Sequence, residues 1–311
     1  MEQMPAAMDR HLDVASINKE GGLLLGASSL TGRYWLGSLW FYLSPEYAPN
    51  VELCTAGVQL EAGLSGASWI TAHHVLLAMD TGGVTIWELQ DDNKTFSMVH
   101  SACEHDDIVS SVSVNANGNR FVSASHDKRI RLWDANLTSL NSFKAHGNKV
   151  LDVQYHPTEP DLFLSCSQDG RTILWDTRRS KPASIIEKSQ GGSAPCCVSW
   201  QPSATKMFGT GDEGGGIVIR DLRVVVEKTV NYQHHCSAVT CLAFSTTRPD
   251  LLASGSEDCR TVVVSLNSFG TQNLYINDAH SDFVKNITWN DREMLMSCGW
   301  DGNVIWHTPR D

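Results

Sequence analysis

The sequence predicts an all-β protein, a seven-bladed propeller of four-stranded antiparallel blades whose ring is closed by the N-terminal segment. Three observations predict this fold. A short apolar stretch ending in Trp-Asp recurs along the chain, an aspartate recurs in phase with it, and a histidine four residues before a valine recurs in phase with both. The copies are about 40–45 residues apart, the period of a four-stranded blade.

The Trp-Asp stretch is complete in two copies, Ile130–Asp134 and Thr172–Asp176, whose tryptophans are Trp133 and Trp175. Weaker copies are Gly37–Phe41, Val84–Glu88, Ile217–Asp221, Thr261–Ser265 and Asn303–His307. Seven copies predict seven blades. We expect Trp306 of the last copy to occupy the same position as Trp133 and Trp175.

Each aspartate should lie in the tight hairpin between the second and third strands of its blade. The aspartates are Asp80, Asp127, Asp169, Asp212, Asp258 and Asp301, and the histidines are His105, His146, His235 and His280. Histidine, aspartate, a serine on the second strand and tryptophan can form one buried network, in which each hydrogen bond contributes about 0.5–1.5 kcal/mol. We expect complete networks in blades three and four, a nearly complete one in blade seven, and one without tryptophan in blade six.

The repeats span residues 1–311 as a single domain. The chain ends soon after the third strand of the seventh blade. We therefore expect the segment of residues 1–20 to supply a fourth strand to that blade and to close the ring, which removes an exposed sheet edge.

Composition disfavours several classes of function. With 35 acidic and 24 basic residues, the net charge of −11 repels nucleic-acid phosphates and attracts basic partners. Nine dispersed cysteines without a C-x-x-C pair indicate reduced, intracellular thiols. Neither a signal peptide nor an apolar run of about 18 residues is present, so we expect no membrane association.

The recurring polar residues do not predict an enzyme. Histidine, aspartate and serine recur blade after blade, whereas catalysis needs one site. The stretch Gly209–Gly214 matches G-x-G-x-x-G, but a strand pattern follows where a phosphate site needs a helix. Adjacent histidines would diverge on strands, which disfavours a metal site. We expect neither catalysis nor a cofactor.

Partner binding is expected on the face of the ring that carries the hairpins. The residues before the hairpin aspartates should project there: Met79, His126, Gln168, Gly211, Glu257 and Trp300. Trp300 and Phe283 form either a binding hot spot or a pair packed on each other.

Blade one lacks the Asp-Gly hairpin and should carry an extended loop, Ser28–Gly37. Its residues Leu30, Arg33, Tyr34 and Trp35 are further candidate partner-binding residues, because Arg, Tyr and Trp are enriched at interfaces. The alternative is that this loop folds back onto its own blade.

The three phased features resemble the WD-repeat family over essentially the whole chain. Within it, the chain resembles the WD-repeat subunits of methylosomes, on the stretches Leu23–Leu30, Gly32–Trp35, Gly37–Trp40, Glu104–Ser110 and Lys181–Ser184. This resemblance implies a non-catalytic scaffold, in cytoplasm and nucleus, that binds the type II protein arginine methyltransferase in a hetero-octamer. It also implies that Arg33 and Trp35 insert into the enzyme, and that basic substrates such as histone tails and the Sm proteins of snRNP assembly are presented.

Two other functions are compatible with the sequence. The stretch Asp169–Arg178 ends in W-D-x-R and resembles the box by which substrate receptors of cullin-type ubiquitin ligases contact their adaptor. A free-standing histone-peptide reader would instead use the central channel and needs acidic residues around an aromatic-lined mouth.

Overall fold

The computed structural model describes residues 7–31, 34–90, 92–144, 146–186, 192–203, 206–223, 230–267 and 270–309. These residues form seven antiparallel sheets, which confirms the predicted all-β propeller. Helical structure in the described ranges is limited to two 3-10 turns, Pro45–Tyr47 and Val51–Leu53, between the third and fourth strands of blade one.

Each sheet is one blade, with strands numbered in chain order from the centre of the ring outward. Blade one is β1 (His11–Ile17), β2 (Leu23–Thr31), β3 (Tyr34–Tyr42) and β4 (Ala56–Leu60), and blade two is β5 (Leu64–Trp69), β6 (His74–Met79), β7 (Gly83–Leu89) and β8 (Phe96–Cys103). Blade three is β9 (Val109–Val114), β10 (Arg120–Ser125), β11 (Ile130–Asp134) and β12 (Ser139–Phe143). Blade four is β13 (Val150–Tyr155), β14 (Leu162–Ser167), β15 (Thr172–Asp176) and β16 (Ser184–Ile186).

The numbering continues through the remaining three blades. Blade five is β17 (Pro195–Trp200), β18 (Met207–Asp212), β19 (Gly216–Asp221) and β20 (Val230–Gln233). Blade six is β21 (Val239–Phe244), β22 (Leu251–Ser256), β23 (Thr261–Asn267) and β24 (Gly270–Asn277). Blade seven has three strands in the described residues, β25 (Val284–Trp289), β26 (Leu295–Gly299) and β27 (Val304–His307).

The second strand of each blade lies between two neighbouring blades. β10, β14 and β22 read RFVSAS, LFLSCS and LLASGS, and nearly all of their residues are buried. Small residues let adjacent sheets approach, and large apolar side chains fill the space between them. In the outer strand β8 only Phe96 is buried, and the other residues are half-buried or exposed because solvent reaches this strand.

The ring closes where blade one meets blade seven. Each innermost strand contacts those of both neighbouring blades, and β1 contacts β5 on one side and β25 on the other. Leu12 and Ala15 of β1 share a buried cluster with Met296 and Cys298 of β26. The N-terminal strand therefore closes the ring by packing its side chains against blade seven.

The expected strand exchange is wrong for the described part of the N-terminal segment. β1 pairs with β2 in blade one and is hydrogen-bonded to no strand of blade seven. Residues 1–6 of the predicted closing segment lie outside the described residues. The reason for the difference is that blade one needs β1 as its own innermost strand to complete four strands.

The polar network of blade three joins four side chains. His105 Nδ1 lies 2.7 Å from Asp127 Oδ2, and His105 Nε2 lies 2.8 Å from Ser123 Oγ. Trp133 Nε1 donates to the same Ser123 oxygen at 2.8 Å. His105 donates from Nδ1 to the Asp127 carboxylate, and Ser123 Oγ joins the imidazole Nε2 to the indole N–H of Trp133.

The hairpin aspartate is held as a carboxylate. Burial opposes the charge of Asp127, but the hydrogen bond and charge of His105 and the backbone N–H groups of Arg129 and Asp106 outweigh it and lower the pKa of Asp127 to about 2. The same aspartate therefore fixes the hairpin and the turn that carries the histidine.

Blades four and six repeat this arrangement. In blade four, His146 contacts Asp169 at 3.1 Å and Ser165 at 2.8 Å, and Trp175 Nε1 donates to Ser165 Oγ at 2.8 Å. In blade six, His235 Nδ1 lies 3.1 Å from Asp258 and Nε2 lies 2.8 Å from Ser254 Oγ. Val264 pairs with Leu252 at the position of tryptophan there, so the blade six network ends at the serine.

Blade seven corrects the assignment of Trp306. In blade three, Trp133 pairs with Phe121, which lies two residues before the network serine. The corresponding pair in blade seven is Leu295 with His307, so His307 occupies the position of the tryptophan. Trp306 points to the other face, where it packs against the closure cluster of blade one. Its buried Nε1 has no hydrogen-bond partner among the described residues.

A chain of polar contacts replaces the tryptophan in blade seven. Ser297 Oγ lies 2.7 Å from both His280 Nε2 and His307 Nε2, and His280 Nδ1 lies 3.0 Å from Asp301 Oδ2. His307 Nδ1 lies 3.1 Å from the hydroxyl of Tyr275. If His307 is neutral, Tyr275 donates to its Nδ1, and its Nε2–H donates to Ser297 as an indole would.

Changing Ser123 to Ala should destabilise blade three. The hydroxyl is fully buried and joins His105 and Trp133, so its loss leaves two buried groups unsatisfied and costs about 1–3 kcal/mol of unfolding free energy. Urea denaturation measures this cost, with Ser101→Ala on the exposed outer strand as the control. A cost equal to that of the control would contradict the network.

Replacing His307 with Gln should reduce the acid sensitivity of the protein. Burial, and then the charge of His280, lowers the pKa of His307 from 6.5 to about 4. Between these values the unfolded chain binds a proton that the folded chain does not, so stability falls as pH falls from about 6.5 to about 4, by up to about 3 kcal/mol.

Glutamine retains a donor for Ser297 and an acceptor for Tyr275 but does not titrate. Urea midpoints measured across this pH range should therefore fall less in His307→Gln than in the wild-type protein. His100→Gln, on outer strand β8, serves as the control. Parallel pH curves for wild type and His307→Gln would disprove the assignment.

Candidate functional site

One face of the ring carries the hairpins between second and third strands. On it, six blades place one residue each at the mouth of a central cavity of about 1060 Å³. We call these residues the rim ring: Asp80, His126, Gln168, Glu213, Glu257 and Trp300. In every case the backbone N–H donates at 3.0 Å to a carbonyl of the turn that enters the same blade. The rim positions are therefore fixed by the backbone, whichever side chain they carry.

Two rim residues differ from those expected. The expected Met79 and Gly211 lie one and two positions before the actual rim residues Asp80 and Glu213. In blade three the network aspartate, Asp127, comes one residue after the rim residue. Asp80 is itself the rim residue of blade two, and Asp212 comes one residue before the rim residue of blade five, so neither corresponds to Asp127. Blades two and five have no turn histidine, so nothing there requires an aspartate at the place of Asp127.

Blade one does not carry the expected extended loop. β2 and β3 continue their pairing up to Leu30 with Trp35 and Thr31 with Tyr34. The segment is thus a lengthened hairpin, with Leu30 and Tyr34 on its two strands. Gly32 and Arg33, which connect the strands, lie outside the described residues. Trp35 is 37% exposed near the end of this hairpin.

The two sets of aromatic residues predicted for partner binding meet at the closure of the ring. The His11 ring lies 5.7 Å from that of Trp35 and 4.9 Å from that of Trp300, measured between centroids. Trp300 in turn lies 5.5 Å from Phe283. We call Trp35, His11, Trp300 and Phe283 the aromatic row. Of the two alternatives for Trp300 and Phe283, a binding hot spot or a pair packed on each other, the contact agrees with the second. Trp35 is nevertheless exposed.

A half-buried carboxylate anchors this row. Trp300 Nε1 donates to Asp13 Oδ1 at 2.7 Å, and the Ser28 hydroxyl donates to Asp13 Oδ2. Burial raises the pKa of Asp13, while the two hydrogen bonds and the charges of Lys285 and His11 oppose that rise. The Lys285 ammonium lies 5.1 Å above the Trp300 ring, a cation–π contact.

Gly63 sets how closely the base of Trp35 approaches blade two. A Cβ atom at Gly63 would lie 2.7 Å from Asp80 Oδ2 and 3.0 Å from the Trp35 Cβ. Glycine therefore lets the lengthened hairpin rest against the rim ring. Sequence reasoning did not single out His11, Asp13, Gly63 or Lys285, since none of them belongs to the Trp-Asp repeat.

The described residues contain no group of three or more His, Cys, Asp or Glu side chains placed to hold a metal ion. Within the same ranges, no helix has the length and apolar character needed to cross a membrane. The stretch Gly209–Gly214 lies in the β18–β19 hairpin, as expected. The aromatic row and the carboxylates of the rim ring are the groups that this face presents.

The repeats and the fold of this chain match those of known repeat proteins. The family described as "WD domain, G-beta repeat" matches residues 96–134, 137–176 and 226–264. A solved chain of the COPII outer coat vertex on membranes has the same fold, with a TM-score of 0.82 at 18% identity over 98% of this chain and 86% of that one. The protein is a WD-repeat propeller.

Two curated relatives cover most of the chain. Methylosome protein WDR77 of Xenopus laevis is 36% identical over 306 residues, which is 97% of this chain and 91% of that protein. The peroxisomal targeting signal 2 receptor of Schizosaccharomyces pombe is 25% identical over 87% of this chain and 88% of its own length. The chain belongs to the family of the WD-repeat methylosome protein WDR77.

Changing Trp300 to Phe should destabilise the closure of the ring. Phenylalanine keeps an aromatic ring beside His11 and Phe283 but removes the hydrogen bond to the half-buried Asp13 carboxyl. We expect a loss of about 1–3 kcal/mol in unfolding free energy, measured in urea. Trp35→Phe, on the exposed neighbour, should cost less than about 0.5 kcal/mol. Equal effects of the two changes would refute the anchoring role of Asp13.

Proposed function

We propose that this chain is a non-catalytic scaffold subunit of a methylosome. In this role it binds a type II, symmetric protein arginine methyltransferase in a hetero-octamer and helps to present basic substrates such as histone tails and Sm proteins. The 36% identity to methylosome protein WDR77 over nearly the whole chain supports the assembly. We extend the proposal to a location in cytoplasm and nucleus, without a cofactor and without direct nucleic-acid binding.

The observation that carries the docking proposal is that Trp35, near the end of its hairpin, is exposed and yet held in place. A large aromatic ring that is 37% exposed has apolar area available to a partner. The His11 ring beside the Trp35 ring and Gly63 beside the Trp35 Cβ hold this residue against the rest of the propeller. Fixing such an anchor before binding lowers the entropy lost when the partner docks.

Charge supports the presentation of substrates. The net charge is −11, and basic peptides would be attracted toward the propeller over distances of about 8–10 Å in physiological salt. A scaffold of this charge raises the local concentration of basic substrates beside the enzyme that it holds.

The ubiquitin-ligase receptor has weaker support. Arg178 Nε and Nη2 each donate at 2.8 Å to Asp176 of the same turn. The turn recurs in blade five, where Arg223 pairs with Asp221. A repeated arginine–aspartate pair within one turn is accounted for by stabilisation of that turn, so we do not favour adaptor binding.

Co-expression with the methyltransferase followed by size-exclusion chromatography tests the docking proposal. The wild-type chain should co-elute with the enzyme, and the Arg33→Ala/Trp35→Ala double variant should lose co-elution because the exposed anchor is removed. Tyr47→Ala is the matched control, since Tyr47 is a 48% exposed aromatic between β3 and β4 of the same blade.

Circular dichroism must show that each variant retains its β-structure. Co-elution of a folded double variant at wild-type yield would overturn the proposal. If the double variant does not fold, the single variant Trp35→Phe, which shortens the exposed ring, provides the same comparison through its apparent affinity.

A further inference from the structure

Five basic side chains lie together on the hairpin face of blades three and four, although the chain as a whole has a net charge of −11. We call them the basic patch: Lys128, Arg129, Lys144, Lys149 and Arg171. The first two lie in the hairpin of blade three, the next two in the turn between the blades, and the last in the hairpin of blade four. Arg129 is half-buried, and the other four are exposed.

Contacts of the hairpin join it to the turn between the two blades. Arg129 Nη1 donates to Ser142 Oγ, on the strand that leads into this turn, at 3.4 Å. Lys128 has the hairpin position of Gly82 in blade two, since the N–H of each donates to the last residue of the second strand. A Cβ atom at Gly82 would lie 2.4 Å from the His105 carbonyl oxygen, in the turn that enters the next blade. Lys128 therefore lies against the turn between blades three and four.

Electrostatic effects on two histidines show that the remaining charges reach the same place. Burial and then the charge of Lys149 lower the pKa of His126, in the hairpin of blade three. In the turn between the blades, burial lowers the pKa of His146, and the charge of Arg171 adds to this effect while Asp169 opposes it. The hairpins of both blades and the turn between them thus form one positively charged surface.

The basic patch has no carboxylate partner of its own. Among the described residues, none of its five side chains forms an ion pair, and the arginines that do so lie elsewhere: Arg120, Arg131, Arg178, Arg179, Arg223 and Arg248. Asp107 acts on His126 at one end of the patch, and Glu213 accepts a hydrogen bond from Gln168 at the other. Carboxylates therefore border the patch without neutralising it, and its like charges repel one another.

We propose that the basic patch binds a carboxylate-rich segment of a partner protein. Such a segment relieves the repulsion within the patch, and the acidic surface around the patch keeps it from binding elsewhere. A nucleic acid fits this surface less well, because its continuous row of phosphates would extend over the bordering carboxylates. Blade two separates the patch from Trp35 in blade one, so this binding goes beyond the proposed methyltransferase docking and does not depend on it.

Fluorescence anisotropy with the isolated full chain tests the site. The probe is a labelled peptide of alternating glutamate and glycine, compared with a matched peptide in which glutamine replaces glutamate and with single-stranded DNA of the same length. The glutamate peptide should bind tightest, and the glutamine peptide at least about tenfold more weakly. Added salt should weaken binding of the glutamate peptide because the charges are exposed.

Removing three charges of the patch should weaken binding of the glutamate peptide. Lys128→Gln/Lys144→Gln/Lys149→Gln is expected to lower the affinity by about tenfold, since each exposed charge pair contributes a modest share. The charge-matched control is Lys94→Gln/Lys181→Gln/Lys206→Gln, in which three exposed lysines of the turns on the other face are changed. The control should lower the affinity by less than about twofold, because these lysines are far from the patch.

Several outcomes would overturn the site. Equal losses in the patch variant and in the control would show that net charge alone decides binding, and unchanged binding by the folded patch variant would remove the site altogether. Tighter binding of DNA than of the glutamate peptide would assign the surface to nucleic acid. Circular dichroism monitors folding, and if the triple variant does not fold, Lys144→Gln/Lys149→Gln in the exposed turn should still weaken binding by about fourfold.

Discussion

Closure of the ring is the interaction on which the rest of this structure depends. Every second strand is buried because a neighbouring blade covers each face, and no sheet could bury both faces alone. Six of the seven interfaces join blades that follow one another in the chain. The seventh joins residues almost 300 positions apart, such as Asp13 and Trp300, and it must form before blades one and seven lose their exposed faces. Packing of Leu12 and Ala15 on Met296 and Cys298 supplies this contact.

The same junction explains why blades one and seven depart from the repeat. Residues at the junction must satisfy a contact that no other pair of blades makes, so the repeated pattern does not dictate them. Trp306 points into the junction instead of into the network, and His307 takes over as donor to Ser297. On the hairpin face, the junction gathers the aromatic row, in which Trp300 is hydrogen-bonded to the half-buried Asp13. The junction, whose sequence departs from the repeat, thus also carries the aromatic row, of which Trp35 and Trp300 line the cavity.

The repeat made the fold predictable because three features recurring in phase constrain one another. It also fixed the contacts of His105 and His146, which follow from local geometry within one blade. The assignment of Trp306 to the polar network was wrong because it ignored the spacing between the hairpin aspartate and the tryptophan. Trp133 and Trp175 each lie six residues after the hairpin aspartate, and this spacing from Asp301 reaches His307 and not Trp306. The fixed spacing could have corrected that assignment. Nothing comparable marks His11 or Lys285, because their neighbours Trp35 and Trp300 lie far away in the sequence and meet only when the ring closes.

A propeller separates the positions that hold its blades from the positions that contact partners. Backbone hydrogen bonds fix the rim positions in blades two to seven whichever side chain they carry, although Trp300 also anchors the ring closure through Asp13. In this chain those positions hold three carboxylates, a tryptophan, His126 and Gln168, whereas the lengthened hairpin of blade one carries an exposed aromatic ring. The two surfaces differ in chemistry: one attracts positive charge and the other offers apolar area. A scaffold that must hold an enzyme and its basic substrates at once needs this separation, because a single patch could not bind both partners together.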